Sequence, residues 1–571
     1  MQSTPAIVAQ GAVHRLPRIA LLLFCIAYVL PGFFGRNPWK SADITAFGYM
    51  AELARGGADW LAPQLLGLAP KVDALLPYWL GAWAMQLAPT WITSDLAARI
   101  PFGLLLTLAL SATWYGIYYL ARSPQAQPVA FAFGGEALAP DYARAMADGG
   151  LLAFIACLGL AQLSHETTPA LAQLGFTALT FYALAALPYR TVIPAISAVL
   201  GLAGLALSGA PTLAILFGFG GSVIHLLDDN TELGGKRHHV LGTAVIALTT
   251  LLVALMSTSL DLWRWRIELP EASWTEWRSL GRLLLWFTWP AWPLALWTLW
   301  RWRHLLILEG TPSRHLVLPL WFAGVALGTT LSTASAERSL LLTLPALAAL
   351  AAFALPTLKR SVAALIDWFT LLFFSGSACI IWIIWIAMQT GVPSQPAANV
   401  ARLAPGFEPS FTLFPFLIAT GATLAWAWLV HWRVGKHPAA IWKSLVLPAG
   451  GAALCSLLLM TLWLPLIDFA LSYTPMMQQI SQEPGSTSCV QAQGLSRGQI
   501  AALEFYRHQP LKPASTSSPC PWLLVGTEAE SPLDARIDLS QWTLYSKLRH
   551  PVDRHEEIML YQRTTAPEST H

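Results

Sequence analysis

The chain has 571 residues, of which 55% are hydrophobic and only 11% charged, with a mean hydropathy of +0.52. Soluble domains carry about a quarter charged residues, so the composition excludes an ordinary soluble globular protein and places most of the chain in lipid. Against 34 basic residues stand 31 acidic ones, a net charge of +3, too near neutral for a partner held by charge such as nucleic acid.

A membrane-crossing helix needs about 20 apolar residues in succession. Apolar runs at 17–35, 97–121, 149–165, 171–188, 191–208, 211–228, 239–258, 281–300, 315–332, 338–356, 365–390, 410–430 and 440–468 predict an all-α polytopic membrane protein of about thirteen transmembrane helices. The first run follows His14, Arg15 and Arg18 without a cleavage signature and is expected to remain as an anchor. Between the first two runs lies 35–95, longer than a connection requires. Within it Ile44, Phe47, Met50, Ala51 and Ala54 recur at helical spacing. They predict a short helix on the membrane surface, opened by Ser41 or Asp43 and closed by Gly56-Gly57.

Residues 122–148 form a polar insertion with Glu136, Asp141 and Asp148. Residues 259–280 mix Trp263, Trp265, Trp274 and Trp277 with Arg264, Arg266 and Arg278, and read as an interfacial segment. Residues 391–409 are a Pro-rich loop. Beyond 471 the hydropathy falls, and a small α/β domain is predicted. Its helix spans 497–506 behind a Ser496 cap, and its strands lie at 521–526, 542–545 and 558–561. Cys489 and Cys520 fall in this region and suggest a disulfide if it lies outside the cytoplasm. The other four cysteines lie in apolar runs and read as small buried hydrophobes. The expected organisation is a transmembrane domain over 1–470, with an outer loop at 36–96, and a C-terminal α/β domain over 471–571.

Basic residues set the orientation. Arg122, Arg190, Lys236, Arg237, His238, His239, Arg301, Arg303, His304, Lys359, Arg360, His431, Arg433, Lys436 and His437 all fall on the side of the N-terminus if the runs number thirteen. That side is expected to be the cytoplasm. The 35–95 loop and the C-terminal domain then share the opposite face, and Asp148 does not.

Few residues on that outer face can carry chemistry. Asp43 is either a helix cap or a carboxylate at the water–lipid boundary, desolvated, raised in pKa and ready to take a proton from a hydroxyl. Lys71, followed by Asp73, is either half of a solvated pair or a point charge for a lipid-linked phosphate. Tyr78 and Trp79 either anchor in the interface or stack on a sugar. His165-Glu166 is an unusual pair at a membrane boundary. Adjacent residues do not share a helix face, so His165 and Glu166 would hold a metal only with a further ligand from the 35–95 loop; as structure, they begin the next helix. Arg338 suits phosphate oxygens, or pairs with its neighbour Glu337. Ser208-Gly209-Ala210-Pro211 is a tight turn.

In this order these residues resemble the GT-C superfamily of integral-membrane glycosyltransferases, and within it the lipid A aminoarabinose transferase and polyprenyl-phosphate-sugar mannosyltransferase family. The family's first loop carries an acid and a helix, then a "gDW..P" stretch, then a Lys-Pro-rich segment with "YW". Asp43, Gly57-Ala58-Asp59-Trp60-Leu61-Ala62-Pro63, Lys71 and Tyr78-Trp79 fall in those places. The sequence departs from the pattern at Asp43-Ile44, where two acids are usual, and at Lys71-Val72-Asp73 in place of Lys-Pro-Pro. Glu166 stands by topology for the family's second acid, although Asp148, on the other face by the basic-residue count, is nearer to that motif in sequence; Ser208-Gly209-Ala210-Pro211 stands for its "KGP" turn and Glu337-Arg338 for its "ER".

The resemblance implies transfer of one sugar from a polyprenyl-phosphate carrier to lipid A or another envelope acceptor, at the periplasmic face of a bacterial inner membrane. It implies Asp43 as the acceptor-side base, Lys71 and Arg338 as holders of the donor phosphate, and Glu166 with His165 orienting the acceptor or a metal. Asp73, Tyr78, Trp79 and Glu337 would line the substrate. Some relatives use a divalent metal; no residue here demands one. Two other classes compete. A transporter or flippase of lipid-linked precursors would carry ionisable residues inside its spans and repeat symmetry between its halves. A non-catalytic assembly protein would keep the scaffold without the transfer.

Overall fold

A computed structural model describes residues 4–228, 236–263, 273–307, 313–333, 336–435, 440–482, 489–507, 511–514, 520–526, 541–553 and 555–564. The helices are α1 (Arg18–Val29), α2 (Ala42–Arg55), α3 (Leu76–Leu87), α4 (Ser94–Ala121), α5 (Ala139–Ala156), α6 (Leu158–Leu163), α7 (Pro169–Ala186), α8 (Val192–Leu207), α9 (Pro211–Leu226) and α10 (Lys236–Ser259). They continue as α11 (Trp274–Phe287), α12 (Ala291–Arg301), α13 (Arg303–Ile307), α14 (Arg314–Thr330), α15 (Ala336–Leu340), α16 (Leu344–Ala354), α17 (Arg360–Thr390), α18 (Ser394–Leu403), α19 (Leu413–Val434), α20 (Val446–Leu462), α21 (Leu464–Leu471) and α22 (Thr474–Gln482).

Every predicted apolar run coincides with a helix or a broken pair of helices. Among the described residues, seven helical stretches are long and apolar enough to cross a bilayer unaided, and α1, α8 and α9 are shorter apolar helices. Three runs are interrupted, one of them at Trp463 between α20 and α21. Cys157 turns to an extended backbone between α5 and α6. The run at 281–300 breaks at Trp289-Pro290, where proline supplies no N–H to continue the ladder. The predicted insertion at 122–148 is also shorter than expected: its last ten residues already belong to α5. Of the predicted interfacial segment, 264–272 lie outside the described residues; Trp274 and Trp277 are exposed on α11.

Helix α2 forms where the spacing predicts it and ends at Gly56, whose φ of +76° suits a residue without Cβ. Its placement differs from the expectation. Ile44, Phe47, Tyr49, Met50 and Leu53 are buried, because the apolar face that would have met lipid is covered by α3 below and by the C-terminal unit above. That unit is a five-stranded mixed sheet of order β2-β1-β3-β5-β4, from β1 (Val490–Gln493), β2 (Lys512–Pro513), β3 (Trp522–Gly526), β4 (Trp542–Arg549) and β5 (Glu557–Arg563). β1 runs parallel to β2 and β3, while β5 is antiparallel to β3 and β4. Cys489 and Cys520 are disulfide-bonded, with Cα atoms 5.0 Å apart, at the starts of β1 and β3. Helix α23 (Arg497–Arg507) opens with a reciprocal cap: the Gln499 amide donates to Ser496 Oγ and the Ser496 amide to Gln499 Oε1.

α23 lies on α2. Phe47 and Phe505 meet edge to face at 4.9 Å, and Lys40 Nζ lies 2.9 Å from the Asp553 carboxylate. Closest approach is at Gly48, where a Cβ would fall 2.5 Å from the Cβ of Ala501. Neither atom belongs to a flexible side chain, so Gly48→Val is expected to push the sheet unit off α2 at a cost of about 1–3 kcal/mol. Limited proteolysis in detergent would report this as faster cleavage of the C-terminal unit; an unchanged pattern would show that α2 and α23 are not held in register there.

Candidate functional site

α1, α2, α6, α7, α15 and α21 bring their ends together at one pole of the helix bundle. The chain between α1 and α2 descends through Arg36 and Trp39 to Asp43 in the first turn of α2. Asp43 does not cap the helix. Its Oδ2 accepts from Arg36 Nη1 (2.6 Å) and the Trp39 amide (3.1 Å), and its Oδ1 accepts from the amide (2.7 Å) and hydroxyl (2.5 Å) of Thr167. Both members of the Arg36–Asp43 pair are sealed from solvent. The rest of the guanidinium is spent on the carbonyls of Gly32, Asn37 and His165, and it lies 4.3 Å over the Trp39 ring. Burial pushes the Asp43 carboxyl upward, but the charges of Arg36 and Arg99 and the two Thr167 bonds overcome it and hold the group at about 2. This corrects the expectation of a raised pKa: the carboxylate is desolvated, yet every lone pair has a donor.

One step outward is Glu166. Its Oε2 accepts from Arg338 Nη2 at 2.9 Å, with the two side chains 17% and 33% exposed. Arg338 thus reaches across the site; the pairing expected within Glu337-Arg338 falls on the Glu337 side chain, which lies outside the described residues. Burial raises the Glu166 carboxyl above the usual glutamate value, the neighbouring Asp43 charge adds to the rise, and Arg338 and Arg36 oppose it. The Nε of Arg338 is buried without a hydrogen-bond partner. Two carboxyls at the same pole are therefore driven in opposite directions, the arrangement that separates proton-accepting from charge-holding roles.

His165 is buried with both ring nitrogens engaged, Nδ1 at 3.3 Å from Ser164 Oγ and Nε2 at 2.9 Å from the Tyr28 carbonyl. Its ring rests on Gly32 (φ +92°), where a Cβ would come within 3.0 Å. Glu166 is committed to Arg338, and no cluster of three or more His, Cys, Asp or Glu suited to a metal ion exists among the described residues. His165 and Glu166 do not fit a metal in this arrangement.

Lys71 and Asp73 lie on the segment before α3, beside the end of α8. Lys71 is exposed. The segment after it packs on the Ser208-Gly209 turn: the Leu75 amide donates to the Leu207 carbonyl (2.8 Å), and Gly209 (φ +85°) leaves room for the Asp73 carbonyl. Tyr78 and Trp79 are not sugar platforms here. Tyr78 is buried with its ring 5.4 Å from that of Tyr49, and Trp79 Nε1 donates to the Trp60 carbonyl. Asp148 is at the far end of the bundle, accepting from the Leu16 amide and Trp114 Nε1.

Four residues at the centre were not singled out in the sequence. Arg36 and Thr167 enclose Asp43. Asp468 on α21 accepts from the Asn37 amide, Asn37 Nδ2 and Trp39 Nε1, pinning the chain that carries Arg36. Arg99 on α4 pairs with Asp95 at 3.2 Å and has a buried Nη2 without a partner. Arg99 and Asp468 lie inside predicted spans, and an ionisable residue in an apolar run is a site candidate by default; that signal was available.

No family model matches the chain, and no curated protein sequence matches it. Among solved structures it is similar to the crystal structure of ArnT from Cupriavidus metallidurans bound to undecaprenyl phosphate. The TM-score is 0.58 at 13% identity, over 97% of this chain and 98% of that one. It is likewise similar to the same protein in the apo state, with TM-score 0.57 and 14% identity over 95% and 96%. The chain therefore has the fold of ArnT over nearly its whole length.

Proposed function

We propose that this protein is a membrane glycosyltransferase that moves one sugar, a pentose or hexose, from a polyprenyl-phosphate carrier to an envelope acceptor at the periplasmic face of a bacterial inner membrane. The acceptor class is lipid A, another glycan or a protein. The observation that carries this reading is the charge cluster Asp43–Arg36 and Glu166–Arg338 at one pole of a bundle with the fold of a protein seen with undecaprenyl phosphate. Residues 1–470 form the transmembrane catalytic part, and 471–571 an outer domain covering α2. The N-terminus is then cytoplasmic.

In this reading the carrier's phosphate is held by Arg338, whose guanidinium is partly exposed and has an unused Nε, with Lys71 as a second charge. The acceptor hydroxyl attacks the sugar's anomeric carbon, the bond from that carbon to the phosphate oxygen breaks, and the phosphate leaves with the electron pair against Arg338. The hydroxyl proton passes to Glu166, which the phosphate frees by taking Arg338 from it. Asp43 stays ionised; it holds Arg36 and the 165–167 loop so that Glu166 is presented at the surface of the site.

The test is transfer by purified protein from a radiolabelled polyprenyl-phosphate sugar to envelope glycolipid extracts. Labelled acceptor formed by the wild type and lost in Arg338→Gln supports the reading. Wild type that binds the carrier but never releases sugar, across pentosyl and hexosyl donors, would move the protein to the assembly class.

A further inference from the structure

At the pole remote from Asp43, α8 and α10 begin and α7 and α9 end. α7 alone, at 18 residues, separates the two poles by about 27 Å. A cavity of about 270 Å³ opens there between these helix ends, with His225, His238, His239 and Thr191 at one end and apolar walls that include Leu187 and Leu241. The imidazoles of His225 and His239 stack at 4.6 Å. His225 is only 4% exposed, and its Nδ1 has no hydrogen-bond partner among the described residues. A buried polar nitrogen without a partner is costly, and this one borders a cavity. Two helices of 16 and 24 residues start at its rim, and helix N-termini present free N–H groups and partial positive charge. Among the described residues no carboxylate lines the cavity. Outside it, Val192, Ile193, Val240 and Leu241 are exposed, so the apolar wall continues onto the flank of the bundle.

We infer that this cavity binds the phosphate head of an anionic membrane phospholipid. His225, His238 and His239 and the N-termini of α8 and α10 face the phosphate, and an acyl chain lies along the apolar flank of α8 and α10. A free phosphate ion shares the head chemistry, but the apolar walls favour a lipid. Gly242 keeps the cavity open: a Cβ there would lie 3.0 Å from His225 Nε2 and 3.1 Å from the Leu187 side chain. The site is independent of the sugar-transfer reading, since none of these residues belongs to the Asp43 pole.

The protein in mixed-lipid nanodiscs, examined by native mass spectrometry after release, tests this with phosphatidylglycerol, phosphatidylcholine and inorganic phosphate as probes. Wild type is expected to retain phosphatidylglycerol at least about tenfold over phosphatidylcholine, without displacement by millimolar inorganic phosphate. The double variant His238→Gln/His239→Gln should lose that preference while keeping the wild-type melting temperature and carrier binding, and Gly242→Leu, separately, should lose it while keeping carrier binding. Equal retention of the two lipids by wild type, or undiminished preference in both variants, overturns the inference. Displacement by inorganic phosphate overturns the lipid assignment.

Discussion

Asp43→Asn is expected to remove transfer by at least about a thousandfold and to lower stability by about 3–5 kcal/mol, the usual consequence of stripping one partner from a buried ion pair. Among the described residues Arg36 forms its ion pair with Asp43 alone, and both side chains are sealed. The neutral amide would leave a guanidinium buried against three carbonyls. Calorimetry in detergent separates the two effects when Arg36→Met is added. The double variant should recover much of the stability, because the orphaned charge is gone, and none of the transfer. Recovery of transfer would remove Asp43 from the mechanism, as would full activity in Asp43→Asn alone. Linkage gives the same pair a pH signature. The folded pKa is about 2 against an ordinary 3.8, a depressed carboxyl. Its stabilisation, roughly 2 kcal/mol, is present above the ordinary value and is lost as pH falls through the folded one.

The second large effect concerns which carboxyl takes the proton. Arg338→Gln should lower kcat/KM for the carrier sugar at least about a hundredfold, since a charge-assisted contact that holds the phosphate and receives its charge on leaving is lost. Glu166→Gln should lower kcat by about 100- to 10,000-fold with little change in KM. The pH profile distinguishes the two acids. Glu166 titrates above the usual glutamate value because it is buried beside Asp43, whereas Asp43 is held near 2. A base must be ionised, so kcat should fall as pH drops through the Glu166 pKa. A fall confined to pH values near 2 would assign the proton to Asp43 instead. Glu166→Asp should keep an acid limb, and Glu166→Gln should have none.

Much of the fold was legible because hydrocarbon burial leaves a long, coarse signal: each apolar run became helix, and Gly56 and Ser496 marked ends by local chemistry alone. The breaks at Cys157 and Pro290 were hidden, since a short interruption does not lower the hydropathy of a run. The surface helix was misjudged for a tertiary reason. An apolar stripe on α2 specifies that something covers it, and only the docking of α23 decides that the cover is protein rather than lipid. At the site, Asp43, Glu166 and Arg338 stood out as charges beside apolar runs. Their pairing did not, because Glu166 and Arg338 are 172 residues apart and Glu337 is adjacent. Tyr78 and Trp79 were read as interface anchors or as a platform for a sugar, yet α3 turns them onto Tyr49 and Trp60.

Asp468 has a consequence for synthesis. Its two carboxylate oxygens pin Asn37 and Trp39 across 431 and 429 positions of sequence, and the Lys40 amide reaches the Leu471 carbonyl beside them. At a ribosomal speed of about 5–20 residues per second, the clamp arrives roughly 20–90 s after the loop it closes. Until then the chain carrying Arg36 and Asp43 is held across the bundle by the 165–167 loop without that clamp. A nascent chain that ends before α21 therefore lacks the carboxylate that fastens Asn37 and Trp39.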